Sequence, residues 1–594
     1  MPSLTRHNPL FTIDTPQPPP DWALLERLLI DAQSEACIEF FDKYFDDRGY
    51  LECIPRWGGD DGPDDAIENL LNWTTLHALG GPDEILDLFR KGFEGHVRQY
   101  TEARTTEVEL GRDGMYYREF PTCFDWFHHG EGLSSYFLYG LSDPYDPLYE
   151  QRMRRWTSMY DGSDESCPNY DPEHRVIRSM FNGSRGPLLR KATGLDWAGD
   201  YIDVADLHLA HGERSHDEMI AHFAEYNDVV GDNPLNLEAT HLGFVAYALT
   251  GEDRYRNWVV DYVDAWLERT EQNGGIIPSN VGLDGTIGGE CDGKWYGGVY
   301  GWGFTVTVPQ TGAKANRPAA YSRPCYGFAH AMQLTGDRSY GEAWGKVLDA
   351  VSANSKVENG QTVYPRMYGD DGWYDFGPKP MNRGAQEVWF WSMRDADRAR
   401  VPDDPWVQYL TGTNDDYPKT ALEKEFTRLR DKIERMRNDG STKDTRLSDV
   451  SLPMNPALTD QLTQLMMGGL PTGRRCHTLH CRLRYFDPDR RRAGLPADVG
   501  ALVERMSDDS VTVSLVNLSP VNERTVVIQG GGYAEHTMER VTVEGGATVD
   551  VDTSYGADRT AFALCLAPSA GCRLQIQQKR FAHRPTLAFP WDRR

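Results

Sequence analysis

Four short turns constrain this chain more than anything else in its sequence. Ala78-Leu-Gly-Gly-Pro-Asp-Glu-Ile85, Ala248-Leu-Thr-Gly-Glu-Asp-Arg-Tyr255 and Gln333-Leu-Thr-Gly-Asp-Arg-Ser-Tyr340 share one layout, and Tyr139-Gly-Leu-Ser-Asp-Pro-Tyr145 is a looser copy. In each, an apolar helical segment reaches a Gly or a Ser, an acidic residue or Pro follows, and a second amphipathic segment begins. That is a helix C-cap followed at once by an N-cap. So short a link joins two helices only as an antiparallel pair.

The far ends of these pairs are joined by long segments, 104–130, 273–316 and 356–385, which hold much of the Trp, Tyr, His and Gly of the central region. Short turns on one rim and long aromatic loops on the other define a ring of helical hairpins whose loops carry function. Three regions are expected. Residues 1–20 form an extended arm, because Thr15-Pro-Gln-Pro-Pro-Pro20 cannot continue a helix. Residues 21–474 form the helical ring, opening with a helix over about 21–46. Residues 475–594 form an antiparallel β-sandwich, because Leu479–Phe486, Ser510–Leu518, Thr525–Gln529, Arg540–Glu544, Ala561–Leu566 and Cys572–Gln577 read as short strands bounded by turn residues.

Bulk properties narrow the partners. The 594 residues are 39% hydrophobic and 26% charged, with a formal net charge of −28. Such acidity argues against nucleic acid and against an anionic membrane as partners. It leaves room for a small basic pocket for an acidic sugar, because local potential is set by local residues. No run approaches the roughly 20 apolar residues of a membrane span. No export signal is read at the N-terminus and the 10 cysteines show no disulfide spacing, so a cytoplasmic protein with reduced thiols is expected.

The turns, the aromatic loops and the β-domain behind a helical ring resemble the (α/α)-toroid carbohydrate-active enzymes. That group includes polysaccharide lyases, unsaturated-uronide hydrolases and several glycosidase families. The resemblance is one of layout over about residues 21–594. It implies an (α/α)6–7 toroid, a helical hairpin barrel, followed by a β-sandwich, acting on an oligo- or polysaccharide. The fold also hosts other chemistry, so function must come from the site.

Five loop clusters supply candidates. Arg56-Trp-Gly-Gly-Asp-Asp-Gly-Pro-Asp-Asp65 offers a catalytic carboxylate, Asp65, or oxygen ligands for Ca²⁺, the one cofactor weighed; simple helix capping by Asp64 or Asp65 is the competing reading. Phe124-Asp-Trp-Phe-His-His-Gly-Glu131 puts Trp126 beside His128, His129 and Glu131, as a sugar-binding wall with an acid or base would require. Asp232-Asn-Pro-Leu-Asn-Leu-Glu-Ala-Thr-His241 supplies Asn236 and His241. The resemblance to toroid lyases implies that Asn236 binds a uronate carboxylate while His241 and Tyr321 move protons. The Gly-rich run 288–304 presents Trp295, Tyr296, Tyr300 and Trp302 as a stacking platform, with backbone free to approach a ligand. Tyr321-Ser-Arg323 and Tyr364-Pro-Arg-Met-Tyr368 set Arg323 and Arg366 close to tyrosines, Tyr368 among them, an arrangement suited to holding a carboxylate and lowering a Tyr pKa. Cys476-His-Thr-Leu-His-Cys481 has four metal-ligand types at a spacing that matches no common zinc site.

Three functions are compatible with these clusters. The leading expectation is β-elimination at a uronic-acid-containing glycan, a lyase. The second is an inverting glycoside hydrolase, for which Asp60, Asp61, Asp65, Glu131, Glu290, Asp292, Asp370 and Asp371 offer carboxylates. The third is a non-catalytic glycan-binding protein. An exposed edge of the β-domain would support a homodimer.

Overall fold

The computed structural model describes residues 9–58, 61–192, 229–297, 322–473, 476–551 and 558–593, together with Asp196, Ser215, Asp217 and the backbone of 305–308 and 313–316. Its first part is helical. Helices α1 (Asp21–Tyr44), α2 (Pro63–Glu68), α3 (Trp73–Leu79), α4 (Asp83–Glu102), α5 (Trp126–Phe137) and α6 (Pro147–Ser158) come first. They are followed by α7 (Thr240–Thr250), α8 (Asp253–Gln272), α9 (Pro324–Thr335), α10 (Ser339–Ser352), α11 (Ala385–Ser392), α12 (Tyr417–Asn438) and α13 (Asp460–Met467).

The turn motif behaves as its residues dictate. Helix α7 ends at Gly251 (φ 69°) and α8 opens at Asp253; α9 ends at Gly336 (φ 75°) and α10 opens at Ser339. A left-handed residue costs least at Gly, which sets where each helix stops. Each pair α3–α4, α7–α8 and α9–α10 packs as a hairpin. These turns face the C-terminal β-region. The Leu587 N–H donates to the Ala248 carbonyl at 2.9 Å, and a Cβ on Gly336 would stand 2.5 Å from the Phe581 carbonyl oxygen. The opposite rim carries the N-termini of α2, α5, α7, α9 and α11.

The β-region holds two five-stranded sheets. One runs Phe11–Ile13, Ala561–Leu566, Arg524–Gly530, Leu483–Asp487, Arg492–Ala493; the other Val499–Met506, Ser510–Asn517, Gly571–Lys579, Thr537–Val543, Thr548–Asp550. Strands expected near 483, 510, 525, 540, 561 and 572 are all present. The expected arm contributes a strand of its own: Phe11 pairs with Leu564 in parallel, so the first sheet is mixed rather than wholly antiparallel.

A further sheet was not anticipated. The 356–385 segment, expected to be loop, folds into the hairpin Gln361–Gly369/Gly372–Gly377, and Ala313–Asn316 and Thr305–Val308 extend it. Gly372 at φ 86° makes the tight reversal. This sheet lies between α8 and α9 and between α10 and α11 in the chain, so it grows from the loop-bearing rim. No described helix is long and apolar enough to cross a membrane.

Candidate active site

Helices α2 and α5 pack through a glycine. A Cβ on Gly132 would stand 3.0 Å from Asp64 Cα and 3.2 Å from its Cβ, so a side chain there would crowd α2 and Gly allows the close approach. The contact brings the acidic start of α2 against the His- and Glu-bearing start of α5. Asp125 is the N-cap of α5 and is fully buried. Its carboxylate accepts from the His128 N–H at 3.2 Å and from His128 Nδ1 at 2.7 Å. Burial alone would depress the His128 pKa. The charge and hydrogen bond of Asp125, joined by Asp64 and Glu131, outweigh it and raise the pKa to about 10. Burial likewise pushes Asp125 up, but His128 holds it below the usual carboxylate range.

Asp64 is buried, and that desolvation, with repulsion from Glu131 and Asp125 against the pull of His128, raises its carboxyl to about 7. Asp65 is half-buried and also held well above the usual range, first by burial and then by Asp64 and Glu68. The capping reading of Asp65 is realised in part: Oδ2 accepts from the Gly62 N–H at 3.3 Å. Asp61 is buried, its Oδ1 accepting from the Ser448 N–H at 2.8 Å, and burial raises its pKa.

Glu131 faces this cluster from α5. Its Oε1 accepts from Arg323 Nη2 at 2.7 Å, with side-chain exposures of 12% for Glu131 and 10% for Arg323. Oε2 of Glu131 has no partner among the described residues. Arg323, at the N-cap of α9, also donates to the Phe127 carbonyl at 2.9 Å, lies 3.7 Å from the Phe127 ring centre and stands 3.6 Å from Glu238 Oε1. Glu238 is wholly buried and held well above the usual range by that burial, despite Arg323. The site therefore sets α2 carboxyls whose pKa is raised by burial against a carboxyl on α5 that is ion-paired to Arg323, beside a His128 ring held by Asp125.

The remaining expected residues fall into three groups. Tyr300, Trp302, Tyr321 and Asp60 lie outside the described residues. A second group belongs to the interior. His241 is fully buried, with its ring against Phe137 and His330, and burial lowers its pKa to about 3. Asn236 is spent on the fold: its amide donates to Asp232 Oδ1 at 2.9 Å and to the Ser179 carbonyl at 3.2 Å and accepts from Asn182 at 3.1 Å. Trp126 is buried among Phe120, His129 and Tyr160, so no sugar reaches its faces. His129 is buried, its Nε2 2.8 Å from the Asn182 carbonyl, and burial lowers its pKa to about 4.

The third group does assemble. Trp295 lies 4.8 Å and Tyr296 5.2 Å from the Tyr368 ring, and Tyr368 lies 4.9 Å from Trp373. Asp370 ties the two segments, accepting from Lys294 Nζ at 2.7 Å and Tyr296 Oη at 2.6 Å. Arg366 is exposed and lies across Gly377 of the paired strand. Glu290, Asp292 and Asp371 are exposed in the same two segments, apart from the α2–α5 carboxyls.

Sequence reasoning did not single out Asp125 or Glu238, and it weighed Asp64 both as one of four loop aspartates offering a carboxylate or Ca²⁺ ligand and as a helix cap. The i, i+3 spacing of Asp125 and His128 at a helix start was the available signal. The Cys476–Cys481 run crosses the interior as an extended segment, His477 stacked 4.0 Å from the Tyr326 ring. Among the described residues no three His, Cys, Asp or Glu are placed to hold a metal ion, at that run or at the Asp61–Asp65 loop considered for Ca²⁺.

The chain belongs to the family described as "Domain of unknown function (DUF8034)", which matches residues 12–403 and 402–463. Among solved structures it is similar to a cellobiose 2-epimerase from Bacillus thermoamylovorans, with 10% identity, coverage of 71% of this chain and 93% of that one, and a TM-score of 0.32. An inactive variant of an α-1,6-mannanase from Salegentibacter sp., in complex with α-1,6-mannotetrose, matches at 11% identity, 74% and 99% coverage, and a TM-score of 0.30. A sugar epimerase from a ruminal bacterium matches at 13%, 64% and 100%, and 0.21. Likeness at these scores fixes neither substrate nor mechanism. No curated protein matches the sequence.

Proposed function

We propose that this protein is a glycoside hydrolase of the (α/α)-toroid kind, using carboxyls of α2 as general acid and Glu131 of α5 as general base. The observation that carries this reading is the packing of Gly132 on Asp64, which sets buried carboxyls of raised pKa opposite an ion-paired one. Glycoside hydrolysis needs that asymmetry: one carboxyl gives a proton to the leaving oxygen while the other draws a proton from water. Asp65 is the better exposed of the α2 acids and is assigned as donor, with Asp64 sharing its proton. Glu131 Oε2 faces the attacking water. Trp295, Tyr296, Tyr368 and Trp373 stack against sugar rings.

Hydrolysis is preferred to β-elimination because His241 and Asn236, two of the groups expected to serve a lyase, are enclosed in the core, and Arg323 is engaged by Glu131. The test is incubation with neutral and uronic-acid glycans, following both reducing ends and the ultraviolet band of an unsaturated uronate. Reducing ends without that band support hydrolysis, and their loss in E131Q and D65N assigns the pair. Appearance of the band establishes a lyase and overturns the proposal.

A further inference from the structure

On the loop-bearing rim, beside the Asp61–Asp65 segment, a cleft of about 270 Å³ opens between Arg56, Trp57, Arg104, Thr105, Glu107 and Met115. In a chain of net charge −28, two guanidiniums facing one opening stand out chemically. Arg104 is exposed and has no carboxylate partner among the described residues. Glu107, the one acid in the lining, is turned onto its own loop: its oxygens accept from Thr105 Oγ1 at 2.9 Å, Thr106 Oγ1 at 2.8 Å and the Thr106 N–H at 3.1 Å.

Packed side chains link the cleft to the carboxyl cluster. Arg56 lies near enough to Asp61 to lower its pKa. The indole of Trp57 is fixed by a 2.7 Å bond from Nε1 to the Asp196 carbonyl and packs 5.2 Å from the Phe124 ring; Phe124 in turn stacks 4.5 Å from His128. One wall thus runs from the cleft to the imidazolium between Asp125 and Asp64. Ligand sites for drug-sized molecules span roughly 300–1,000 Å³, so this volume suits one sugar ring rather than a chain.

We propose that this cleft is a subsite for an acidic sugar, whose carboxylate is held by Arg56 and Arg104. Guanidinium binds carboxylate through two parallel hydrogen bonds. The assignment of substrate class rests on the hydrolase reading, whereas the binding claim stands apart from it.

The experiment uses the full chain and two probes that differ only in the carboxylate: sodium methyl β-D-glucuronide and methyl β-D-glucoside, titrated by ligand-observed NMR at two salt concentrations. The wild type should bind the glucuronide about tenfold or more tightly than the glucoside, the factor expected of a charge-assisted pair. That preference should weaken with salt and vanish in R104A, whose exposed side chain leaves the fold intact. Equal binding of both probes, no binding of either, or a glucuronide affinity unchanged in R104A overturns the subsite. Cleavage of neutral glycans without the glucuronide preference removes the acidic-substrate assignment alone. A preference lost in R104A, in a protein that cleaves no glycan, removes only the hydrolase reading.

Discussion

Arg323 and Glu131 join two helices across the mouth of the site: Nη2 meets Oε1 at 2.7 Å, and the same guanidinium is the only cation paired with buried Glu238 among the described residues. Removing it leaves Glu131 without its ion-pair partner and buried Glu238 with no cation beside it among the described residues. R323A should lower stability by about 3 kcal/mol or more, as breaking a largely buried pair does. The double variant R323A/E238Q should recover part of that loss. Thermal melts of the two decide it, and equal melting temperatures would mean that Arg323 acts only through Glu131.

Asp64 sets a pH dependence of definite sign. Its folded pKa of about 7 lies above the unfolded value of about 3.9, so the folded state binds the proton more tightly. Its contribution to stability is complete below pH 4 and is lost as pH rises through 7. D64N keeps a neutral group there at every pH. It should therefore be more stable than wild type at pH 7.5, by roughly 2–4 kcal/mol, with the gain vanishing at pH 4. Turnover that needs the proton should fall in wild type above about pH 7 and be low in D64N throughout.

His129 has the opposite sense. Burial lowers it to about 4, below the ordinary 6.5, so its neutral form is built into the fold. Its contribution is present above pH 6.5 and lost as pH falls toward 4. H129Q should be less stable than wild type at pH 7, with the difference shrinking steadily down to pH 4 in urea titrations. A constant difference would show that the histidine does not titrate on unfolding.

Asp370 clasps the aromatic arm by accepting from Lys294 and Tyr296. D370N should leave kcat within about twofold and raise KM about three- to tenfold, because it loosens a binding surface away from the reacting bonds. A fall in kcat at unchanged KM would place Asp370 in the chemistry instead.

All 10 cysteines are buried, and none is joined in a disulfide. Burial raises the Cys37, Cys123 and Cys476 thiols, which keeps them as thiols rather than reactive thiolates. Ellman's reagent should find no fast-reacting thiol in the native protein and 10 in urea.

The hairpins were legible because each turn states its own chemistry: Gly at the left-handed stop, then Asp or Ser opening the next helix, as at Gly251–Asp253 and Gly336–Ser339. The carboxyls were legible as a set, since loop acids at a helix start stand out. Which aromatics and histidines face a substrate was not. Trp126 and His129 look in sequence like a sugar-binding wall, yet both are interior; Trp295 and Tyr368 look no different and are half-exposed. Composition is the same in both places, and only packing separates them. The hairpin Gln361–Gly377 was missed because Gly, Pro and Asp break its alternation.

The parallel pairing of Phe11–Ile13 with Leu564–Leu566 has a consequence for how the molecule is made. On the ribosome the first strand emerges about 550 residues before its neighbour (564 − 11). Until then its backbone amides have no sheet to join, so the first β-sheet closes only once Ala561–Leu566 has been made. A nascent chain stalled after the helices would hold the carboxyl cluster yet lack the seam that joins Phe11–Ile13 to Leu564–Leu566.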